Sequence, residues 1–339
     1  MTHNRVLLVT GLLLLTACAP APSVPVREAV TSSSPTSSSS SSVWIEALPS
    51  TLSIPYFSQM TLVGTGLTLE RIITKNSVYV QHAIHYSSNG LEISGILNIP
   101  EGPGPFPLLI FNHGHISPSI YTRGRGLRRE QDYLAREGFA VLHTDYRGHG
   151  ESDPSPMVEN KRYDGNLEYA MDSANAILAM RAAKIPRIDA DRVGMLGHSL
   201  GGGVTLAVLT ARPDLVFAAV LYAPVHADVW ENFNRWRRER EDDDRTEEIS
   251  GTKESKPDFW RELSPQTYLS KIQGPILLFQ GDKDKDVPKA WSDDLSLRLH
   301  SLDKDISYVE YAGEGHEFGP QWMDFMKKTA QFFHKSLSK

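Results

Sequence analysis

A chain of 339 residues is long enough for one large α/β domain or two small ones. Its 35 Lys and Arg against 41 Asp and Glu leave a formal charge of −6 with no basic stripe, which argues against nucleic acid as a partner. The single cysteine, Cys18, excludes an intrachain disulfide framework and any cysteine-rich metal site.

The first residues carry one arginine, Arg5, then an apolar run over 6–15 and small residues up to Cys18. This is the pattern of a secretory signal, and the run is shorter than the roughly 20 apolar residues a bilayer span needs. The tetrapeptide LTAC, ending at Cys18, resembles the bacterial lipoprotein signal. The resemblance implies a signal peptide over 1–17, lipidation of Cys18, and an extracytoplasmic protein lipid-anchored to a bacterial membrane, at the cell surface or in the periplasm. An ordinary cleaved leader with an incidental cysteine is the plainer alternative. Residues 18–42 are rich in Pro and Ser with almost no apolar content, so they read as a flexible tether. Folding is expected from about residue 43 onward.

Two β-rich segments, 78–88 and 91–100, flank Asn89-Gly90 and predict an antiparallel hairpin. Residues 105–115 form a short apolar run ending at a glycine, the mark of a strand buried on both faces. A helical pattern over 127–138 stops at Gly138, and 139–150 enters a loop after another buried strand. Residues 166–184 place Ala170, Ala174, Ile177 and Leu178 at helical spacing. Strand, helix and strand follow over 192–198, 201–213 and 216–225. After a polar insertion come strand 274–281, helix 289–301, strand 306–313 and helix 320–337. Buried strands alternating with helices predict a mostly parallel central sheet with helices on both faces. In such sheets ligands bind beyond the carboxyl ends of the strands, and every chemical candidate falls at one of those ends.

Gly197-His198-Ser199-Leu200-Gly201 matches G-x-S-x-G, between a predicted strand and a predicted helix. The glycines allow a strained elbow that presents Ser199, and the Leu200 N–H at the helix start can bind an oxyanion. A neutral serine hydroxyl needs a base. His316, just after the last strand, is the candidate, whereas His300 and His334 lie in helical patterns. The base needs a carboxylate to fix its tautomer, and Asp282, Asp284 and Asp286 all follow the preceding strand; spacing does not choose among them. The oxyanion loop is expected at 112–115, with the His115 N–H pairing with that of Leu200. His113-x-His115 lacks a nearby Cys, Asp or Glu to complete a metal set, so neither metal nor cofactor is expected. Asp145 and His149 read as structural loop residues.

Taken in order, FNHGH, DYRGHGESD, DRVGMLGHSLGGG, GDKDKDVP and GEGHEF resemble the α/β-hydrolase catalytic domain of the prolyl oligopeptidase (S9) serine peptidases. The resemblance runs from about residue 78 to the C-terminus. It implies an α/β-hydrolase fold over 43–339 with Ser199 as nucleophile and His316 as base. The family's acid lies in a pattern like G-x-x-D-x-x-V-P; Gly281, Asp284, Val287 and Pro288 match it, which selects Asp284. Two departures stand out. The family's peptidases usually carry a large N-terminal β-propeller, for which 43–78 is far too short, and their first loop is commonly H-G-G where this chain has His113-Gly114-His115.

The insertion, about 227–265, is the other distinctive piece. Of residues 235–248, 12 of 14 are charged, the composition of a solvated face. Trp230, Phe233 and Trp236 recur every three residues on the approach to it. They anchor the insertion to the domain or wall an acyl or side-chain pocket in a cap over Ser199, two roles that are compatible. The resulting expectation is a serine hydrolase acting through a Ser199 acyl-enzyme, an S9-like peptidase on short peptides or aminoacyl substrates. The alternatives are a carboxylesterase on small acyl esters, or a surface binding protein that has kept the fold without the chemistry.

Overall fold

The computed structural model describes residues 52–154, 163–238 and 246–338. The signal peptide, Cys18 and the tether lie outside them. A short helix α1 (Ile54–Gln59) leads into strand β1 (Gly64–Lys75). The predicted hairpin follows as β2 (Tyr79–Ser88) and β3 (Leu91–Pro100), in register from Tyr79 opposite Pro100 to Ser88 opposite Leu91. Asn89 and Gly90 both have positive φ, 47° and 91°, as a two-residue hairpin turn that matches strand twist demands.

The rest alternates: β4 (Phe106–Asn112), α2 (Arg128–Arg136), β5 (Ala140–Thr144), α3 (Leu167–Ala183), β6 (Ile188–His198), α4 (Leu200–Ala211) and β7 (Ala218–Tyr222). Between β7 and the next strand lie α5 (Val229–Trp236), α6 (Thr246–Ser250) and α7 (Pro257–Leu263). Then come β8 (Ile276–Gly281), α8 (Lys289–Ser301), β9 (Ile306–Tyr311) and α9 (Trp322–Ser336). The nine strands form one sheet in the order β1-β2-β3-β5-β4-β6-β7-β8-β9. From β5 across to β9 every neighbouring pair is parallel, while β1, β2 and β3 form an antiparallel edge.

Parallel strands covered on both faces need apolar side chains on both, and β4 has them: Leu108, Leu109, Ile110 and Phe111 are all fully buried. Even-numbered Leu108 and Ile110 face one core with α3 and α4 residues such as Ile177 and Val208. Leu109 and Phe111 face the other, with Leu134 of α2 and Phe325 and Phe333 of α9. The two sides are the two faces of one sheet.

β1 has no counterpart in the sequence reading. Most of its residues are exposed, it pairs on one side only, and three register shifts against β2 break any alternation. The loop after β5 is structural, as expected. Asp145 accepts from Ser94 Oγ (2.6 Å), the Tyr121 hydroxyl (2.7 Å) and the Gly124 N–H (2.7 Å). Arg147, fully buried, forks onto Asp172 (2.7 and 3.0 Å) and reaches Glu168 (3.0 Å), tying this loop to α3. Breaking one side of such a buried pair costs about 3–5 kcal/mol, because the other charge is left unpaired.

Candidate active site

Ser199 occupies the turn between β6 and α4 with φ 56° and ψ −120°, a conformation that costs a non-glycine residue about 1–3 kcal/mol. The surrounding backbone enforces it. The Ser199 N–H donates to the Tyr222 carbonyl (3.0 Å), and its carbonyl accepts from Gly202 (2.9 Å) and Val225 (3.0 Å). The flanking glycines are required by close approach. A Cβ at Gly197 would lie 2.2 Å from the Gly201 carbonyl oxygen, and one at Gly201 would lie 1.9 Å from that of Asn112. Strand, elbow and helix therefore pack against the end of β4 with no room for a side chain.

Of the three aspartates that spacing left open, Asp284 is the one that meets His316, its Oδ2 lying 2.8 Å from the ring Nδ1. The same oxygen accepts from Gln280 Nε2 (2.9 Å), and Oδ1 accepts the N–H groups of Asp286 and Val287, both at 2.9 Å. Burial alone would raise the Asp284 carboxyl. The His316 hydrogen bond and the Val287 N–H outweigh it and hold the group below the usual carboxylate range. Asp282 serves the turn, accepting from the Gly313 N–H at 2.6 Å, and Asp286 is exposed. One ligand atom each from Asp284, Asp286 and His316 falls within 4.8 Å of the others, a spacing that suits a cation. Asp284 Oδ2 is already engaged by His316 there.

The loop bearing His316 is held from three sides. Glu314 accepts the N–H groups of Gly319 (2.7 Å) and Gln321 (2.5 Å), and the Phe318 N–H donates to the Tyr222 hydroxyl (2.5 Å). The third hold is His198, the residue before Ser199, whose Nε2 donates to the His316 carbonyl at 3.1 Å. Its ring packs 4.3 Å from Tyr222 and 4.6 Å from His316, centroid to centroid. Burial, then the neighbouring His316, push His198 down to about 3, so it is a neutral donor at neutral pH. His113 on the first loop is similar. Burial, then His149, lower it to about 3, and its Nδ1 lies 2.7 Å from the Gly114 carbonyl. Fixing that carbonyl fixes the Gly114–His115 peptide plane, and hence the direction of the His115 N–H. A Cβ at Gly114 would stand 3.2 Å from that of Ser199, so this loop lies directly against the serine. Leu200, the first residue of α4, carries one of the helix N–H groups that have no partner within the helix.

Ser199, Leu200, His115 and His316 all line a cavity of about 660 Å³, within the range of sites for small ligands. Trp236 lines it as well. Trp230 and Phe233 do not, which corrects the expectation that all three wall a pocket. They are 5% and 2% exposed and pack on Trp260 at 4.7 and 5.1 Å, between the insertion and the α3–α4 core. On α5, positions 230 and 233 share the buried face, while Trp236 ends the helix, half-buried. The sequence reading passed over Arg125, Arg128 and Arg129, which also line the cavity. Their only signal in the sequence is the basic run RGRGLRRE, of which the helical pattern over 127–138 takes in just LRRE.

Residues 125–339 match the model of the prolyl oligopeptidase family. "Uncharacterized peptidase YtmA" of Bacillus subtilis (strain 168) is 28% identical over 245 residues, 71% of this chain and 87% of that protein. Dipeptidyl aminopeptidase BIII of Pseudoxanthomonas mexicana is 28% identical over 232 residues, 65% of this chain but 32% of the relative. Among solved structures, the uncomplexed acylaminoacyl peptidase of Pyrococcus horikoshii superposes with a TM-score of 0.64 at 21% identity, over 78% of this chain and 43% of that one. Acetyl xylan esterase 1 of Thermoanaerobacterium sp. JW/SL YS485 gives 0.57 at 19% identity, over 81% and 89%. Both share the α/β-hydrolase fold built here around the β6–α4 elbow, and with the family's model spanning residues 125–339 this chain is a serine hydrolase of the prolyl oligopeptidase family.

Proposed function

We propose that the chain is a peptidase cleaving short peptides or aminoacyl amides through an acyl-enzyme on Ser199. The family match over residues 125–339 favours the peptidase, and the 2.8 Å Asp284–His316 bond, beside a cavity that Ser199 and His316 line, carries the mechanism. With Nδ1–H donated to Asp284, the His316 ring keeps Nε2 as its acceptor. Nε2 takes the Ser199 proton as Oγ attacks the scissile carbonyl, and Asp284 stabilises the imidazolium. The tetrahedral oxyanion is held by the N–H groups of Leu200 and His115, each such donor being worth about 10²–10³ in turnover. His316 then protonates the departing amine, and water, deprotonated by the same ring, releases the acyl group. The helices between β7 and β8 act as a cap, with Trp236 supplying apolar surface to the substrate. We read Cys18 as a lipid attachment site holding the enzyme on the outer side of a bacterial membrane, on the strength of the LTAC signal alone.

A carboxylesterase is the second reading. It is favoured by the fold shared with an acetyl xylan esterase, over 89% of that chain. The test is kcat/KM on aminoacyl- and dipeptidyl-p-nitroanilides against short p-nitrophenyl esters, with Ser199→Ala alongside. Efficient anilide cleavage lost in Ser199→Ala supports the peptidase. Turnover of esters alone replaces it with the esterase, and wild-type rates in Ser199→Ala would overturn the mechanism.

A further inference from the structure

The cavity is locally basic on a protein that is acidic overall. Four arginines line it, Arg125, Arg128, Arg129 and Arg237, against the carboxylates Glu130, Asp286 and Glu317, while the whole chain carries −6. The charges are not equally committed. Arg129 lies 3.7 Å from Glu130, donates to the Phe318 carbonyl at 3.2 Å and stacks 4.9 Å over Trp322. Glu130 is in turn bound by Trp322 Nε1 at 2.6 Å. Arg125 and Arg128 differ. Among the described residues neither forms an ion pair. Arg125 donates to the Ile120 carbonyl, and Arg128 reaches only the Thr122 hydroxyl, at 3.5 Å. Both guanidinium groups line the same cavity, and each keeps donors in the planar fork that suits a carboxylate.

The two sides of the scissile bond differ in charge. The leaving group must lie beside His316 to receive its proton, and there exposed Glu317 would repel an anion. Resting on the reading of Ser199 as nucleophile, we propose that Arg125 and Arg128 form a carboxylate-binding subsite, and that the preferred substrates carry an acidic group on the acyl side of the bond they lose.

The test uses succinyl-Ala-Ala-p-nitroanilide and its succinyl methyl ester, which differ in one negative charge. The wild-type enzyme should favour the free acid about tenfold in kcat/KM, through KM, as expected for a partly exposed charge-assisted contact. The preference should shrink as salt is raised. In Arg125→Gln/Arg128→Gln the ratio should fall toward one, and Arg128→Glu should bring it below one, with thermal melts confirming that each variant folds. A purely structural role for these arginines would move both substrates together. A wild-type ratio of one or less, or an unchanged ratio in the double variant, overturns the subsite. If neither anilide is cut, the peptidase reading fails by itself. The subsite is then judged by how well the free succinyl-Ala-Ala acid and its methyl ester protect Ser199 from a fluorophosphonate probe. Stronger protection by the acid supports the subsite, and equal protection overturns it.

Discussion

Replacing His198 with phenylalanine keeps a ring beside Tyr222 and His316 but removes the donor to the His316 carbonyl. Leaving that partly buried carbonyl unpaired should cost about 1–2 kcal/mol at pH 7. The penalty should also depend on pH, in a direction the burial of His198 dictates. In the folded protein His198 is lowered to about 3, chiefly by burial, whereas in the unfolded chain it titrates near its ordinary value of about 6.5. Below that value the unfolded chain takes up a proton the native state refuses. The stability associated with a neutral His198 is therefore complete above pH 6.5 and is lost toward pH 3, at about 1.4 kcal/mol per pH unit. Phenylalanine has no such proton. Between pH 7 and pH 5 the wild type should lose about 2 kcal/mol relative to His198→Phe, bringing the two close to equal stability at pH 5. Urea unfolding of both proteins at the two pH values measures this directly. Taking the difference between them cancels the opposing titrations of buried Glu130 and Asp145, whose carboxyls burial raises. In activity, His316 loses one of its three holds, and kcat should fall roughly 10- to 100-fold with little change in KM. A stability difference that does not move with pH, or a kcat within about twofold of wild type, would refute this account of His198.

Asp284→Asn should lower kcat by about 10⁴, because four donors aim at its two oxygens and no orientation of an amide can accept all of them. Rates within tenfold of wild type, measured on the substrate that the enzyme cleaves best, would contradict the geometry. The two tryptophans on α5 should separate cleanly: Trp230→Ala loses about 3–5 kcal/mol of stability in urea with its core contacts, whereas Trp236→Ala mainly raises KM for bulky substrates.

Most of the scaffold was legible because parallel strands announce themselves. Strands β4, β5, β7 and β8 are short and apolar, β6 ends in an apolar run, and each is followed by a helical pattern or a loop bearing a polar candidate. β1 was not, since a strand paired on one side and exposed for most of its length needs no apolar alternation. The elbow was readable because its glycines are forced by contacts under 3 Å, whereas spacing alone left three aspartates open. Asp284 was selected by a family pattern, and the structure brings it to His316. Trp230 and Phe233 were ambiguous because helical spacing says which residues share a face, not which face turns inward. His198 escaped notice because its bond reaches across 118 residues to a backbone carbonyl, which no side-chain pattern records.

The sheet order distributes the site unevenly. Ser199 rises from β6, which is flanked by β4 and β7 and lies mid-sheet, while Asp284 and His316 follow β8 and β9, the last two strands at one border. β9 has a single neighbour and a partly exposed face, whereas β7 is buried throughout. Partial openings of a folded protein start where a segment has the fewest neighbours. The Asp284–His316 pair thus resides in the less protected part of the sheet, and the strained serine turn in the more protected part. An opening confined to the β9 border would separate Asp284 and His316 from Ser199 while leaving the elbow folded, and activity would return when the border closed.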